Sequence, residues 1–192
     1  DKICKVGDCV ALVAADSVEH ARAAAKLVKQ DLEILPYYMT APEALAPGAM
    51  QIHDAVPNFH VEQPVVKGED VTEIFENAPY VAEGSFHSQH EPHLPIEADM
   101  GQGYIDENGN YTLQIKCQNL TETLGATAGA TGVPQEKLRI ISNAPGGMFG
   151  YGITSPVPSL LVTAMQCLDM PCSLSLNYEE FNHTSGKRSA TF

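Results

Sequence analysis

The segment Asn143–Gly152 is the part of the sequence best suited to bind a ligand, because four of its ten residues are glycines. Glycines let backbone N–H groups face a ligand without obstruction by side chains, so such a loop can form a nest for an anion. Its spacing fits neither the lysine-containing phosphate loop nor the dinucleotide-binding fingerprint. A plain turn between a strand and a helix is the alternative interpretation.

Three histidines, His87, His90 and His93, follow one another at intervals of three residues, a spacing that can place metal ligands together on a helix. Pro92 and Pro95 interrupt any helix that would align them. We therefore expect structural or solvent-facing histidines and no metal site.

The chain must position the glycine-rich segment between regular elements. Val6–Ala15 is predicted to be a strand, Ser17 caps the helix that follows it, and Leu32–Leu35 is predicted to return as a short strand. Residues 36 to 68 contain prolines and glycines at short intervals. This stretch is predicted to be a connector with one helical turn near Pro42–Leu45.

A second block begins at Asp70 and mixes helices with strands. Asp106–Asn110, with its Asn-Gly pair, predicts a hairpin turn. The predicted helices and helical turns are Val71–Asn77, Thr121–Ala130, Pro134–Lys137 and Ser155–Asp169. The predicted strands are Tyr80–Ser88, Gly103–Ile105, Tyr111–Cys117, Leu138–Ser142 and Cys172–Tyr178. The fold class is therefore α+β, with mixed α and β elements in two parts.

Gly146–Tyr151 resembles the Gly-Gly-x-Phe-Gly motif of the molybdenum hydroxylases, the xanthine oxidase/aldehyde oxidoreductase family. Gln118 precedes Phe149 by 31 residues (149 − 118), which is the place of the family glutamine that hydrogen-bonds an oxygen ligand of molybdenum. Other stretches resemble the family in the same order: residues 6–25, 89–97 and 170–188. The resemblance covers essentially the whole chain.

The resemblance implies two domains, both of them incomplete. Residues 1–69 would be part of an α/β hammerhead domain with its connector, and residues 70–192 the first part of a molybdopterin-binding domain. Both ends of the chain look cut, and we expect the fragment alone to be inactive.

The resemblance also implies which residues touch the cofactor. Molybdopterin would be contacted by Gln118, Gly147, Met148, Phe149, Gly150 and Tyr151. No catalytic residue and no metal ligand is expected within this chain, because the family's catalytic glutamate lies downstream. Glu97 is expected to have a structural or cofactor-shell role.

The reaction implied by the resemblance is hydroxylation of aldehydes to carboxylic acids, with water as the source of oxygen. Ile153 occupies the place where purine-oxidising members carry a glutamate that holds the substrate, and Gly152 replaces a frequent lysine. An apolar residue at Ile153 favours aldehydes. A purine or N-heterocycle hydroxylase of the same family is the alternative. Two other readings stay open: a non-catalytic cofactor-binding or subunit-assembly module, and an unrelated α/β domain whose loop binds another anion.

Composition limits the partners. A net charge of −13 disfavours nucleic acid and anionic membranes, and no apolar run approaches the ~20 residues of a membrane span. An odd number of scattered cysteines, five in all, indicates reduced thiols and a cytoplasmic location. Iron–sulfur clusters and FAD would belong to other domains or subunits of a parent whose homo-oligomeric state stays open. The substrate would be a small aldehyde or heterocycle.

Overall fold

The computed structural model describes residues 2–151, 155–184 and 189–191. Within these ranges, no helix is long and apolar enough to cross a membrane. The helices are α1 (Val18–Ala25), α2 (Ala41–Ala44), α3 (Thr72–Asn77), α4 (Leu120–Thr131), a 3₁₀ helix (Gln135–Lys137), α5 (Val157–Leu168) and α6 (Tyr178–Thr184). The strands are β1 (His87–Ser88), β2 (Met100–Ile105), β3 (Tyr111–Lys116), β4 (Leu138–Asn143), β5 (Cys172–Ser175) and β6 (Ala190–Thr191). The α+β fold class is confirmed.

The chain divides into two compact units. The larger unit contains residues 3–28 and 88–190, and the smaller one contains residues 29–87 together with Lys2 and Thr191. The smaller unit carries α2 and α3. The domain boundary expected between residues 69 and 70 stays a prediction.

A four-stranded sheet in the order β4-β3-β2-β5 organises the larger unit. Strand β2 runs antiparallel to both β3 and β5, whereas β3 and β4 are parallel. The predicted hairpin between β2 and β3 is confirmed, since Asp106 Oδ1 accepts hydrogen bonds of 2.9 Å from the backbone N–H groups of Asn108 and Asn110. The sheet thus has one end at this hairpin and another where β3 and β4 finish.

Helices α4 and α5 cover one face of this sheet. The core between the layers consists of Leu113, Ile115, Cys117, Val133, Leu138, Val157, Leu161, Val162 and Met165. Gly101 of β2 permits this close packing, because a Cβ atom there would lie 2.5 Å from Ile115 Cγ2 and 3.0 Å from Leu161 Cδ1. A larger residue would therefore separate helix α5 from the sheet.

The elements predicted near the start of the chain are only partly confirmed. Ser17 does cap α1, accepting a hydrogen bond of 3.1 Å from the backbone N–H of His20. The strands predicted at Val6–Ala15 and Leu32–Leu35 are wrong, because neither segment forms a strand. A strand needs a neighbour for its backbone hydrogen bonds, and the described residues give these segments none. Of the strand predicted at Tyr80–Ser88, only β1 forms.

The last predicted strand is also too long. Strand β5 ends at Ser175, and helix α6 begins at Tyr178. Asn177 starts this helix with a reciprocal pair of hydrogen bonds: its side chain accepts from the backbone N–H of Glu180, and its own N–H donates to the Glu180 carboxylate, both at 2.8 Å. Helix α6 buries Phe181 completely.

Candidate functional site

Strands β3 and β4 bring the two parts of the predicted site to one edge of the sheet. They are parallel, and Lys116 at the end of β3 pairs in register with Asn143 at the end of β4. Gln118 lies two residues beyond Lys116, and Gly146 lies three residues beyond Asn143. In α/β sheets, ligands bind in crevices outside the carboxyl ends of parallel strands. The topology therefore places Gln118 and the glycine-rich loop where a ligand is expected.

The position of Gln118 is fixed from both sides. It follows the last residues of β3 directly and precedes Asn119, whose side chain caps α4 by accepting a hydrogen bond of 3.2 Å from the Glu122 N–H. The Ser142 hydroxyl, from β4, donates to the Cys117 carbonyl at 3.2 Å and ties the two strand ends together. The Gln118 side chain is exposed, so its amide is available to a ligand.

The glycine-rich loop, residues 144–151, is anchored by two side chains and exposes a third. Met148 and Tyr151 are buried, whereas the Phe149 side chain is 76% exposed. Phe149 has a φ of 50°, and left-handed backbone at a non-glycine residue costs on the order of 1 kcal/mol or more and is often found at functional sites. The loop therefore offers a ligand its backbone and one aromatic ring.

A buried polar cluster anchors the end of this loop. The Tyr151 hydroxyl donates a hydrogen bond of 2.7 Å to Asp99 Oδ2, and the Ser155 hydroxyl donates to the same oxygen at 2.5 Å. The Tyr151 ring packs edge-on against Phe181 of α6, with 4.5 Å between the ring centroids. The loop is thereby attached to β2, α5 and α6 at once.

Burial controls the ionisation of this cluster. Desolvation raises the pKa of the Asp99 carboxyl, and the hydrogen bonds from Ser155 and Tyr151 together with the charge of Lys116 oppose that shift. Burial and the nearby Asp99 charge raise the pKa of Tyr151 far above its usual range. Tyr151 therefore keeps its proton at neutral pH and donates it in the hydrogen bond to Asp99.

Lys116 is the cation beneath the loop, and its side chain is only 4% exposed. Its ammonium donates a hydrogen bond of 2.6 Å to the backbone carbonyl of Glu97. It also lies 5.8 Å from the ring centroid of Tyr151 and 5.2 Å from that of Phe181, within range of cation–π attraction. A buried lysine is costly unless its charge is compensated, and these contacts supply the compensation.

Two of the residues in this arrangement, Asp99 and Lys116, were not singled out from the sequence, whereas Glu97 was expected to have a structural or cofactor-shell role. The alternation of Thr112, Gln114 and Lys116 marks the polar face of β3, and this is the one local signal that could have singled out Lys116. Nothing around Asp99 in the sequence distinguishes it, since its partners come from distant segments. Two earlier predictions, at Gly152 and Ile153, lie outside the described residues.

Comparison with known proteins identifies the family. The family model described as "Molybdopterin cofactor-binding domain" matches residues 52–192. This chain belongs to that family. The resemblance to molybdenum hydroxylases stated from the sequence is thereby confirmed, and molybdopterin is the cofactor of the domain.

The molybdopterin-binding chain has relatives with named activities. It is 40% identical over 189 residues to the aldehyde oxidoreductase of Megalodesulfovibrio gigas, covering 98% of this chain and 21% of the relative. It is 29% identical over 188 residues to the nicotinate dehydrogenase large molybdopterin subunit of Eubacterium barkeri, covering 98% and 44%. The chain therefore spans about a fifth of the first relative and less than half of the second.

A solved structure agrees in fold. The aldehyde oxidoreductase of Desulfovibrio desulfuricans ATCC 27774 superposes with a TM-score of 0.83 at 42% identity, over 91% of this chain and 20% of that one. The likeness confirms the mixed α and β architecture.

The residues at the sheet edge fit a molybdopterin cofactor. Added to Gly147, a Cβ atom would meet only the Phe149 ring, at 3.7 Å and beyond, so the loop surface is open to a large ligand. The donors there are neutral, namely the Gln118 amide and backbone N–H groups, and they suit a group rich in oxygen, nitrogen and sulfur acceptors. Among the described residues, no group of three His, Cys, Asp or Glu could hold a metal ion directly.

Proposed function

We propose that this chain is part of the large subunit of a molybdenum-cofactor-dependent oxidoreductase that converts aldehydes to carboxylic acids, with water as the source of oxygen. One observation carries the proposal: the parallel pair of β3 and β4 places Gln118 and the loop of residues 144–151 at the same edge of the sheet. The membership of the chain in the molybdopterin-binding family supports molybdopterin as the ligand of that edge.

Two elements of this chain would hold the cofactor. The Gln118 side chain is exposed just beyond the end of β3, and its amide would donate a hydrogen bond to the cofactor, while backbone N–H groups of Gly147–Gly150 would supply further donors. Hydrogen bonds in such a site are strong because little water competes for the donors. When bound, the cofactor would supply the redox chemistry of the oxidation. The catalytic base would come from residues outside this chain.

Aldehydes are the substrates that the similarities favour. Both aldehyde oxidoreductases are at least 40% identical to this chain. Ile153 supports the same choice, because an apolar side chain gives an aldehyde a surface but offers a purine no hydrogen-bonding partner. An N-heterocycle hydroxylase is the second candidate, and the 29% identity to a nicotinate dehydrogenase subunit is the observation in its favour.

The test uses the whole protein that contains this chain, purified together with its natural partner subunits. Molybdenum content is measured by elemental analysis, and kcat/KM is measured with benzaldehyde, nicotinate and xanthine and an artificial electron acceptor. We expect stoichiometric molybdenum and a clear preference for benzaldehyde. A preference for nicotinate or xanthine would replace the aldehyde assignment with the second candidate.

The same measurements of molybdenum content and turnover would also reveal a non-catalytic role. If the protein contains molybdopterin but turns over none of the three substrates, the chain serves in cofactor binding or subunit assembly. The 192-residue chain by itself is a useful comparison. It is expected to retain little molybdenum and to oxidise no aldehyde, because it spans about a fifth of its aldehyde-oxidising relatives.

A further inference from the structure

The Glu97 carboxylate lies against the backbone at the start of the glycine-rich loop, at a position where residue 146 has no side chain. Its Oε2 atom accepts a short hydrogen bond from the backbone N–H of Gly146. A Cβ atom at position 146 would lie 2.7 Å from that oxygen, so a larger residue there would require the Glu97 side chain to shift. Glycine at position 146 therefore leaves room for the carboxylate against the loop backbone.

Lys116 holds the main chain of the same glutamate. Its buried ammonium donates to the Glu97 carbonyl, while the carboxylate of Glu97 accepts from the loop. Lys116 stands two residues before Gln118 on β3. Glu97 therefore connects β3, which ends two residues before Gln118, with the first residue of the Gly146–Tyr151 motif.

The register of the parallel strands β3 and β4 determines where the loop begins. Lys116 pairs with Asn143, so both strands end side by side and both continue into segments without strand pairing. The loop leaves the sheet at Ala144, its middle is held by the buried Met148, and its far end is held by Tyr151, which hydrogen-bonds to Asp99. Glu97 supplies a fixed point at the near end, where the loop is otherwise exposed.

We propose that Glu97 is a positioning residue, which uses its carboxylate oxygen as a hydrogen-bond acceptor to set the glycine-rich loop relative to Gln118, and that Lys116 holds Glu97 in place. The effect of Glu97 on cofactor binding rests on the proposed function, whereas the effect of Glu97 on the loop does not. Glu97 acts here through an accepted hydrogen bond and transfers no proton. A glutamine at position 97 keeps an acceptor oxygen at the same distance from the backbone, so Glu97→Gln should preserve the position of the loop.

The decisive measurement is hydrogen–deuterium exchange of the loop in the whole purified protein. Peptides covering residues 144–150 are followed by mass spectrometry in wild type, Glu97→Ala and Glu97→Gln, with and without prior removal of the cofactor. Loss of this charge-assisted hydrogen bond is expected to speed exchange at Gly146 by on the order of tenfold in Glu97→Ala. Glu97→Gln is expected to keep most of the protection. Glu136→Ala, at an exposed glutamate of the 3₁₀ helix, is the matched control and should exchange as wild type does.

One further variant keeps the test decisive if Glu97→Ala does not fold. Lys116→Met keeps the aliphatic stem but removes the donor to the Glu97 carbonyl, and should speed exchange in the same peptide. Unchanged exchange in Glu97→Ala or in Lys116→Met overturns the proposal, as does a Glu97→Gln protein that is as unprotected as Glu97→Ala.

Molybdenum content and kcat separate this proposal from the function on which it builds. Glu97→Ala should lower both, and Glu97→Gln should restore them, whereas a general base would lose activity in both variants. If exchange responds as expected but neither Glu97→Ala nor Gln118→Ala changes molybdenum content or turnover, the proposed function fails and the positioning of the loop by Glu97 stands.

Discussion

Tyr151 and Asp99 form a buried hydrogen bond of 2.7 Å that joins the end of the glycine-rich loop to the residue before strand β2. Both residues are at most 1% exposed. The Ser155 hydroxyl shares the same carboxylate oxygen, so the loop and the start of α5 have a common anchor. The geometry of the candidate site therefore depends on the protonation and hydrogen bonding of one buried aspartate.

The pH dependence of stability should reveal this aspartate. Burial raises the folded-state pKa of Asp99 above its ordinary value of 3.8, so its contribution is fully present below about pH 4 and is lost as the pH rises through the folded pKa. In Asp99→Asn the side chain cannot ionise. We expect wild type to lose stability relative to Asp99→Asn as the pH is raised from 4. Urea midpoints measured across this range for both proteins provide the check.

Tyr151→Phe tests the same hydrogen bond by removing its donor. It keeps the ring against Phe181 but removes one of the hydrogen bonds that oppose the rise in the Asp99 pKa. The loss of stability should therefore extend to a higher pH than in wild type. A midpoint profile identical to that of wild type would mean that Tyr151 does not influence the ionisation of Asp99.

Gln118→Ala should lower turnover of the whole protein while leaving the fold intact. Loss of one preorganised donor in a water-poor site typically costs about 10–1000-fold in rate. Gln135→Ala is the matched control, because Gln135 lies in the 3₁₀ helix before β4, at the other end of the sheet. Steady-state kinetics with benzaldehyde and molybdenum analysis are required together. Full turnover with full molybdenum content would remove Gln118 from the site.

Gly101→Val should destabilise the larger unit. Its side chain would overlap Ile115 and Leu161, and overpacking of this kind costs about 1–3 kcal/mol. Gly129→Ala, in the last turn of α4, has no neighbouring atom within 4 Å of the added methyl group. That control should be neutral or stabilise by up to about 1 kcal/mol through helix propensity. Thermal unfolding of both variants gives the comparison, and equal melting temperatures would contradict the close packing of α5 on β2.

On the proposed function, Ile153→Glu should reduce aldehyde turnover, since a carboxylate facing an apolar substrate would lose hydration without gaining a partner. The variant should gain weak activity toward xanthine, whose polar edge a glutamate can hold. Ile153→Val preserves the apolar character and serves as the control. The ratio of kcat/KM for benzaldehyde and xanthine is the measurement, and an unchanged ratio in Ile153→Glu would exclude Ile153 from substrate selection.

Elements with a local signal could be predicted from the sequence. The hairpin at Asp106–Asn110 follows from its turn residues, and α1 follows from the Ser17 cap. Helix α6 had a comparable signal in Asn177 and Glu180, which form a capping box. The apolar alternation after Cys172 favoured a longer strand instead, and the burial of Phe181 on the helix decides the outcome.

Features that depend on distant partners could not be predicted in this way. The segment Val6–Ala15 has the composition of a strand, but a ladder requires a second strand, which no local pattern provides. In the site, Gln118 and Phe149 were predicted because a family motif marks them. Asp99 and Lys116 were not, because their roles arise only when β2, β3, the loop and α6 meet.

The hairpin turn at Asp106–Asn110 lies at the end of the sheet opposite to Gln118, since β3 begins beside the turn and finishes at the site. Gly109 in this turn has open space around it, and the backbone there serves only the connection between two strands. The architecture thus separates a region whose length is free to vary from one whose length is constrained by strand register. A fluorescent label or a short affinity peptide inserted between Asn108 and Gly109 should therefore report on the protein without disturbing its chemistry.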